Sequence, residues 1–212
     1  MKLRKLAMIL DTLAPHPAPS PFLEQYTIGG EEAARLLWIV KGDLEEKVVV
    51  DLGCGSGRLA IGAAILGASF VVGVDVDRAA LQTAHRNAEK AGVGRLVSWV
   101  RASVPRVEMK ADVVVQNPPF GVQRRGADRA FVECALKIAP TVYSLHKRVE
   151  GSRRFITKLV ESLGGYATIL ATFKLRLPPL FEFHVEKARM VEVDLYRFTR
   201  NEVKALASPT SL

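Results

Sequence analysis

The residues with the clearest chemical potential are Asn117-Pro118-Pro119-Phe120, which directly follow the apolar run from Val113 to Gln116. Two oxygens, in the Asn117 carboxamide and the Pro118 carbonyl, can accept both hydrogens of a planar amine and localise its lone pair on nitrogen. The prolines stiffen this arrangement, and Phe120 offers a face on which a flipped-out base can stack. Asparagine and paired prolines also form ordinary turns, but after a buried strand the motif favours methylation of an exocyclic amine.

A second motif, Asp51-Leu52-Gly53-Cys54-Gly55-Ser56-Gly57, lies where a predicted strand meets a predicted helix. Its glycines permit a tight turn and the close approach of a ligand to the backbone. A dinucleotide fingerprint would have its third glycine at position 58, where this chain has Arg58, so NAD is disfavoured. Asp51 would repel a pyrophosphate but suits the amino cation and sulfonium of S-adenosylmethionine. We expect this cofactor to contact Asp51, Gly53, Cys54, Gly55 and Gly57.

Asp75 ends the next predicted strand, where a carboxylate can accept hydrogen bonds from both hydroxyls of a ribose. Asp77, two residues later, is predicted to cap the following helix. The alternative is a glycine turn that only closes a βα unit, with Asp75 as a helix cap. The two features together favour a cofactor site.

Both motifs lie at the ends of short, continuously apolar runs, which are typical of parallel strands buried on both faces. Segments with helical periodicity separate these runs, which predicts βαβ units in a doubly wound sheet. Two long final strands have no helix between them and should pair antiparallel. The predicted strands are 47–52, 70–75, 96–101, 111–116, 141–145, 166–177 and 191–199, and the predicted helices are 1–13, 31–41, 57–66, 78–91, 128–138 and 152–163.

The predicted fold is therefore α/β, with a seven-stranded, mostly parallel sheet, an antiparallel C-terminal hairpin and helices on both faces. Such a sheet resembles the Rossmann-like fold of class I methyltransferases. We expect residues 31–200 to form the methyltransferase domain and residues 201–212 a flexible tail. Residues 1–30 should form an N-terminal arm and lid, since a short basic helix is followed by an extended connector with Pro15, Pro17, Pro19 and Pro21.

Composition limits the partners and the compartment. The 212 residues fit one α/β domain, and a net charge of +8 favours a polyanionic partner, RNA or DNA first. No apolar run approaches the roughly 20 residues of a membrane span. No cleavage site follows the basic start, so we expect a cytoplasmic protein. Cys54 and Cys134 predict neither a disulfide framework nor a metal site.

Several strings occur together in one order: Glu24-Gln25-Tyr26, the glycine loop, Asn117 to Gly121, Ala130-Phe131, Tyr143-Ser144-Leu145-His146-Lys147, and Phe183-His184 through Leu195. Together they closely resemble the methyltransferase-like protein five family and its archaeal relatives, over about residues 22–199. The resemblance implies formation of N6-methyladenosine in small-subunit ribosomal RNA, with S-adenosylmethionine as the methyl donor.

The resemblance also implies roles for single residues. Gln25 and Tyr26 would lie beside the cofactor and near the incoming base, and Asn117 would contact both. Ser103 stands where the family often has an aspartate that bonds the amino group of the cofactor's adenine. Ile28 occupies the position of a threonine that is usual in the family.

Basic side chains follow the carboxyl ends of the fourth and fifth predicted strands, where they can frame an RNA funnel or be merely solvated. We expect substrate contacts from Phe120, Arg124, Arg125, His146, Lys147, Phe183 and His184, with Arg129, Arg148, Arg153 and Arg154 nearby. Eukaryotic relatives pair with a small zinc-binding activator through strand addition at the third, edge strand. The resemblance implies a similar partner here, covering an apolar edge made by Leu96, Val97 and Trp99.

Three other functions remain open at this point. The Asn-Pro-Pro-Phe motif also serves guanine-N2 methylation of ribosomal RNA. Glutamine-N5 methylation of a release factor uses a similar motif, more often with tyrosine after the prolines, and the positive charge favours RNA over a protein tail. The chain could also be a non-catalytic RNA-binding assembly module that retains the cofactor fold.

Overall fold

The computed structural model describes residues 1–20, 25–119, 126–177 and 189–200. The helices are α1 (Leu3–Asp11), α2 (Gly30–Val40), α3 (Arg58–Ile65), α4 (Arg78–Lys90), α5 (Ala127–Ile138) and α6 (Ser152–Ser162). The strands are β1 (Val48–Leu52), β2 (Phe70–Asp75), β3 (Val97–Arg101), β4 (Val113–Gln116), β5 (Thr141–Lys147), β6 (Gly165–Leu177) and β7 (Arg189–Arg200). Each element lies within two residues of its predicted bounds.

The seven strands form one sheet in the order β3-β2-β1-β4-β5-β7-β6. Strands β1 to β5 are parallel, whereas β7 runs antiparallel to both β5 and β6. The predicted mostly parallel sheet with an antiparallel C-terminal pair is confirmed. β5 is two residues longer than predicted, because β7 pairs with it as far as Lys147 whereas β4 pairs only as far as Ser144.

The central strands are buried on both faces, which explains why they are apolar at consecutive positions. On one face, Val49, Val113 and Val115 pack with side chains from α1, α2 and α3. On the other face, Val50 and Val114 pack with side chains from α5 and α6. The helices therefore cover both faces of the sheet, as a doubly wound fold requires.

The N-terminal helix contributes to the first of these cores. Leu6, Leu10 and Leu13 are at most 2% exposed and pack with residues of α2 and α3. The predicted arm is therefore fastened to the domain at its start, and its closing as a lid stays a prediction. Within the described ranges, no helix is long and apolar enough to cross a membrane.

β3 forms an edge of the sheet, as predicted, but its apolar surface is smaller than expected. Val97 is buried, and the half-buried Trp99 ring covers Gly73, where an added Cβ would lie 2.4 Å from the ring. Trp99 therefore packs inward because two glycines, Gly73 and Gly57, leave room for it. Of the three residues expected to need cover, only Leu96 is exposed, together with Val100.

Candidate active site

A cavity of about 360 Å³ opens at the carboxyl ends of β1, β2 and β4. This edge is the usual ligand site of an open α/β sheet. The cavity is lined by the glycine loop after β1, by His16 and residues 25–28 of the arm, and by residues 102–105. Asn117 and Pro119 line the same cavity as Asp51 and Asp75, so the structure brings the two motifs of the sequence together.

The glycine loop has the conformation that its sequence predicts. Gly53, Gly55 and Gly57 have φ angles of 70°, 52° and 86°, which are strained for other residues. A Cβ at Gly55 would meet no protein atom within 4 Å, so this backbone faces open space for a ligand. Gly57 was expected to contact the cofactor, but it is not among the cavity-lining residues. Its backbone instead leaves room for Trp99, whose ring would lie 2.6 Å from an added Cβ.

Asp51 ends β1 with one oxygen satisfied and one not. Its Oδ2 accepts a hydrogen bond of 2.9 Å from the backbone N–H of Ala60, in the first turn of α3. Its Oδ1 is buried and has no partner among the described residues. Burial, with a smaller contribution from the neighbouring Asp75, raises the pKa of Asp51 to about 7 against the opposing Ala60 hydrogen bond. A buried acceptor of this kind calls for a cationic donor in the cavity.

Asp75 is held at the end of β2 by two backbone donors. Gly55 N donates to Oδ2 at 2.8 Å and Asp77 N donates to Oδ1 at 2.9 Å. Burial raises the pKa of Asp75 despite these bonds. Each carboxylate oxygen keeps acceptor capacity for a further donor. The predicted cap is confirmed, because Asp77 Oδ1 accepts hydrogen bonds from Ala79 N and Ala80 N at the start of α4.

The arm contacts the site through His16, whose role the sequence did not reveal, and through Gln25, which was expected beside the cofactor. His16 lines the cavity, and its Nε2 lies 3.2 Å from Asp77 Oδ2. Gln25 Nε2 donates to the same oxygen at 3.2 Å. Nothing in the local sequence around His16 distinguished it, since the contact joins residues 61 positions apart, from 16 to 77.

Asn87 and Arg58 fasten the arm to the glycine loop. Asn87 exchanges two hydrogen bonds of 2.9 Å with the backbone of Ala14 and donates a third to the Ser56 carbonyl. Arg58 Nη1 donates to the Ile28 carbonyl at 2.5 Å, and Nη2 donates to the Leu13 carbonyl at 3.0 Å. Burial lowers the pKa of Arg58, opposed by the negative charges of Asp11 and Glu32.

Asn117 follows the last residue of β4 and faces the cavity. The hydroxyl of Tyr26 donates a hydrogen bond of 2.9 Å to Asn117 Oδ1, so the arm reaches the motif directly. Pro118 is buried and is not among the residues that line the cavity, whereas Pro119 lines it. Phe120, Arg124 and Arg125 lie outside the described residues, as do Phe183 and His184.

Ser103 and Cys54 line the cavity, in agreement with their expected position. Ser103 Oγ donates to the Val104 carbonyl at 3.3 Å. Cys54 is a free, buried thiol whose pKa is raised by burial, and Cys134 is also a free, buried thiol. No group of His, Cys, Asp or Glu residues suited to a metal ion occurs in the part of the chain that the structure describes.

His146 differs from the expectation that it contacts RNA. Its ring is 5% exposed, packs edge-on against Tyr196, and lies with Nε2 2.7 Å from Ser144 Oγ. Burial lowers its pKa to about 3, despite the charge of Asp194, so the ring is neutral. The β7 strand that pairs with β5 covers this position, which the sequence placed on an open edge. Lys147, the next residue, is only partly buried.

Several of the nearby arginines have carboxylate partners. Arg129 pairs with Glu133, Arg148 with Glu192, and Arg153 forms two hydrogen bonds to Asp194, at 2.8 and 2.9 Å. The side chains of Arg129, Arg148 and Arg153 nevertheless remain 61%, 44% and 46% exposed. These arginines can therefore still contact a polyanion, although the paired carboxylates reduce the net positive charge of this surface.

The strand order, the glycine loop after β1 and the cavity at the carboxyl edge define a class I methyltransferase fold. Magnesium protoporphyrin IX methyltransferase from Synechocystis, with bound S-adenosylmethionine, has the same fold. Its TM-score is 0.61 at 19% identity, covering 79% of this chain and 77% of that chain.

Closer relatives match almost the whole chain. It is 35% identical to Mettl5 of Drosophila melanogaster, an rRNA N(6)-adenosine-methyltransferase, over 93% of this chain and 96% of the relative. It is 38% identical to an uncharacterized protein of Methanocaldococcus jannaschii, over 94% and 95%. A crystal structure of a candidate RNA methyltransferase from Pyrococcus horikoshii matches with a TM-score of 0.88 and 38% identity, over 94% and 98%. The chain belongs to the METTL5 family of rRNA N6-adenosine methyltransferases, and the resemblance found in the sequence is confirmed.

The family model of ribosomal protein L11 methyltransferase (PrmA) matches residues 33–118 only. This segment runs from α2 to Pro118 and holds the glycine loop, Asp75 and Ser103. The match therefore reflects the cofactor half of the fold, and the region after Pro118 lies outside it.

The cavity fits S-adenosylmethionine on the chemistry of its own residues. The unpartnered Asp51 Oδ1 suits an amino group, and the two oxygens of Asp75 suit a pair of hydroxyls. The open backbone at Gly55 leaves space that a side chain would fill. A pyrophosphate would meet two buried carboxylates here, so the charges favour a cationic ligand over NAD.

Proposed function

We propose that this chain transfers the methyl group of S-adenosylmethionine to N6 of an adenosine in ribosomal RNA of the small subunit. The observation that carries the proposal is the position of Asn117, which lines the same cavity as Asp51 and Asp75. An amine bound at Asn117 would lie next to the cofactor. Membership of the METTL5 family supports adenosine N6 as the acceptor. The resemblance in the sequence supports the small subunit.

S-adenosylmethionine supplies a methyl group bound to a positively charged sulfur. The nitrogen of an amine can attack the carbon of this methyl group, and the sulfur leaves with the electrons of the broken bond. Asp51 Oδ1 would accept a hydrogen bond from the amino group at one end of the cofactor. Asp75 would accept hydrogen bonds from the two ribose hydroxyls with the lone pairs that Gly55 and Asp77 do not use. Ser103 would lie at the edge of the adenine, since residues 102–105 close that side of the cavity.

The motif after β4 would prepare the acceptor. The N6 lone pair of adenine is delocalised into the ring, so the free base is a poor nucleophile. Asn117 Oδ1 and the Pro118 carbonyl would accept the two amino hydrogens and stabilise the positive charge that develops on nitrogen. Because the nitrogen attacks through its own lone pair, no general base is needed before transfer. Phe120 would stack on the flipped base.

The arm would close the site once the cofactor is bound. Gln25 donates a hydrogen bond to Asp77, which follows β2, and Tyr26 donates one to Asn117, which follows β4. These two neighbouring residues therefore connect the arm to both strand ends. Closure would exclude water and place the catalytic amide in one step.

RNA would approach over the carboxyl edge of the sheet, where Lys147 ends β5 and the exposed Arg154 lies in the first turn of α6. Arg124, Arg125, Phe183 and His184 are proposed to complete this surface. The charge of +8 supports such contacts with phosphates.

A small zinc-binding activator is proposed to add a strand beside β3. The support is that β3 is an edge strand with Leu96 and Val100 exposed. Val100→Pro should prevent this pairing in pull-down with a purified activator of that type, whereas Tyr166→Pro on the opposite edge should not. Equal binding by the Val100→Pro protein would contradict the proposed site.

The test of the function is isotopic labelling. Small and large ribosomal subunits from cells that lack this protein are incubated with the purified chain and deuterated-methyl S-adenosylmethionine, and the RNA is digested to nucleosides for mass spectrometry. We expect labelled N6-methyladenosine from the small subunit. Label in N2-methylguanosine or in the large subunit would support another acceptor. Ribosome association without any label would support a non-catalytic assembly module.

A further inference from the structure

Arg58 is a positive charge at the cofactor cavity. It lines the cavity at the start of α3 and is partly buried. Among the residues that the structure describes, it forms no ion pair, and its two hydrogen bonds both go to neutral backbone carbonyls. The acidic groups that raise its pKa, Asp11 and Glu32, act without direct contact. Burying a guanidinium against carbonyls alone costs free energy that an anion could offset.

The guanidinium still has donors to give. It carries five N–H bonds, and the carbonyls of Leu13 and Ile28 use one from each terminal nitrogen. Each terminal nitrogen therefore keeps one N–H. The carbonyls hold the planar group in a fixed orientation at the cavity, which favours bidentate recognition of a carboxylate.

A carboxylate that lines the same cavity has the opposite sign. Asp51 is 1% exposed, its Oδ1 accepts no hydrogen bond from the described residues, and its Oδ2 accepts one from Ala60 in the first turn of the helix that begins at Arg58. Asp51 at the end of β1 and Arg58 at the start of α3 therefore offer an acceptor and a donor to the same cavity. An α-amino acid carries an amino cation and a carboxylate on the same carbon, so its two charges match this pair.

We propose that Arg58 is a cofactor-binding residue: its guanidinium binds the carboxylate of S-adenosylmethionine while Asp51 binds the adjacent amino group. The inference rests on the proposed function, because it needs this cofactor in the cavity. The first turn of α3 then recognises the zwitterion at the amino-acid end of the cofactor. Arg58 also donates hydrogen bonds to the carbonyls of Leu13 and Ile28, at the two ends of the arm. The same guanidinium would therefore contact the cofactor carboxylate and the arm.

The test compares two ligands that differ only in the carboxylate. The dissociation constants of S-adenosylmethionine and of decarboxylated S-adenosylmethionine are measured by calorimetry for the wild-type chain, Arg58→Met and Arg35→Met. Arg35 is an exposed arginine on α2 paired with Glu31, so it is a matched control. Arg58→Met should weaken S-adenosylmethionine about 10-fold or more beyond its effect on the decarboxylated ligand, as expected for a charged hydrogen bond, because the decarboxylated ligand responds only to the lost arm contacts. Arg35→Met should behave like the wild type.

The alternatives give different results. If Arg58 only fastens the arm, Arg58→Met weakens both ligands equally, and the inference is overturned while the proposed function stands. Unchanged binding of both ligands overturns it too. If the wild-type chain binds neither ligand, the proposed function fails with it.

A second measurement does not depend on a variant that folds. In a crystal structure of the wild-type chain with S-adenosylhomocysteine, a carboxylate oxygen should lie about 2.7–2.9 Å from a terminal nitrogen of Arg58. A carboxylate that points away from Arg58 would overturn the assignment.

Discussion

The hydrogen bond between Tyr26 and Asn117 provides a sharp test of how the arm serves catalysis. Tyr26→Phe removes only the hydroxyl, which donates to Asn117 Oδ1 at 2.9 Å, and keeps the ring. Asn117 Oδ1 then loses this donor, and its carboxamide is held less firmly. A neutral hydrogen bond of this kind contributes about 0.5–1.5 kcal/mol, so the methyl-transfer rate should fall about 2- to 10-fold.

The assay is single-turnover methyl transfer with saturating cofactor and RNA, combined with calorimetry for cofactor affinity. We expect the rate to fall while the affinity for S-adenosylmethionine stays within about twofold, because the bond acts on Asn117 rather than on the cofactor. Tyr166→Phe, in an exposed tyrosine on β6, is the matched control and should have no effect.

A double variant separates positioning from simple packing. Asn117→Ala should lower the rate about 100-fold or more, as for other preorganised catalytic groups. Adding Tyr26→Phe to Asn117→Ala should then cause no further loss. A Tyr26→Phe enzyme with the wild-type rate, or an equal loss in both backgrounds, would refute the argument that Tyr26 acts through Asn117.

Three further predictions follow from buried groups of the site. Burial raises the pKa of Asp51 to about 7, and its ionised form would bind the amino cation of the cofactor. The affinity for S-adenosylmethionine, measured by calorimetry, should therefore rise with pH up to about 7, and binding below pH 7 should release a proton. Asp51→Asn should remove this pH dependence. Asn87→Ala removes three buried hydrogen bonds to Ala14 and Ser56 and should lower the free energy of unfolding by about 2–3 kcal/mol in urea denaturation, with earlier proteolysis near residue 14; unchanged stability would contradict this role. Gly57→Ala should destabilise the fold because its Cβ meets Trp99, whereas Gly55→Ala should weaken cofactor binding more, since its Cβ enters open space of the cavity; thermal melts and calorimetry distinguish the two.

The sheet could be predicted because its strands carry a local signal. Continuous β-branched runs such as Val48–Val50 and Val113–Val115 indicate strands buried on both faces, and each is followed by a motif with distinct chemistry. The sequence shows no helical pattern between the last two predicted strands, which predicted their antiparallel pairing, and the register from Gly165 to Leu177 confirms it. These features depend on nearest neighbours in sequence.

The contacts that fasten the arm could not be predicted in the same way. In the sequence, Arg58 only marks the position where a dinucleotide fingerprint has glycine, and Asn87 is an ordinary polar residue of a predicted helix. In the structure both bond backbone atoms of the arm. The separations are 30 and 45 residues for Arg58 and 73 residues for Asn87. His146 was misassigned for the same reason, because only the pairing of β5 with β7 shows that its ring is covered. Every residue has a backbone carbonyl, so the residue types of Leu13, Ala14 and Ile28 do not show that they accept these hydrogen bonds.

The central claim is that Asn117 and Pro118 accept the amino hydrogens of an adenine beside the cofactor. The most direct measurement is a crystal structure of the chain with S-adenosylhomocysteine and an RNA that carries the target adenosine. We expect adenine N6 about 3 Å from both Asn117 Oδ1 and the Pro118 carbonyl oxygen, facing the sulfur. An adenine bound with its N6 away from position 117, or an Asn117 side chain turned out of the cavity, would contradict the account.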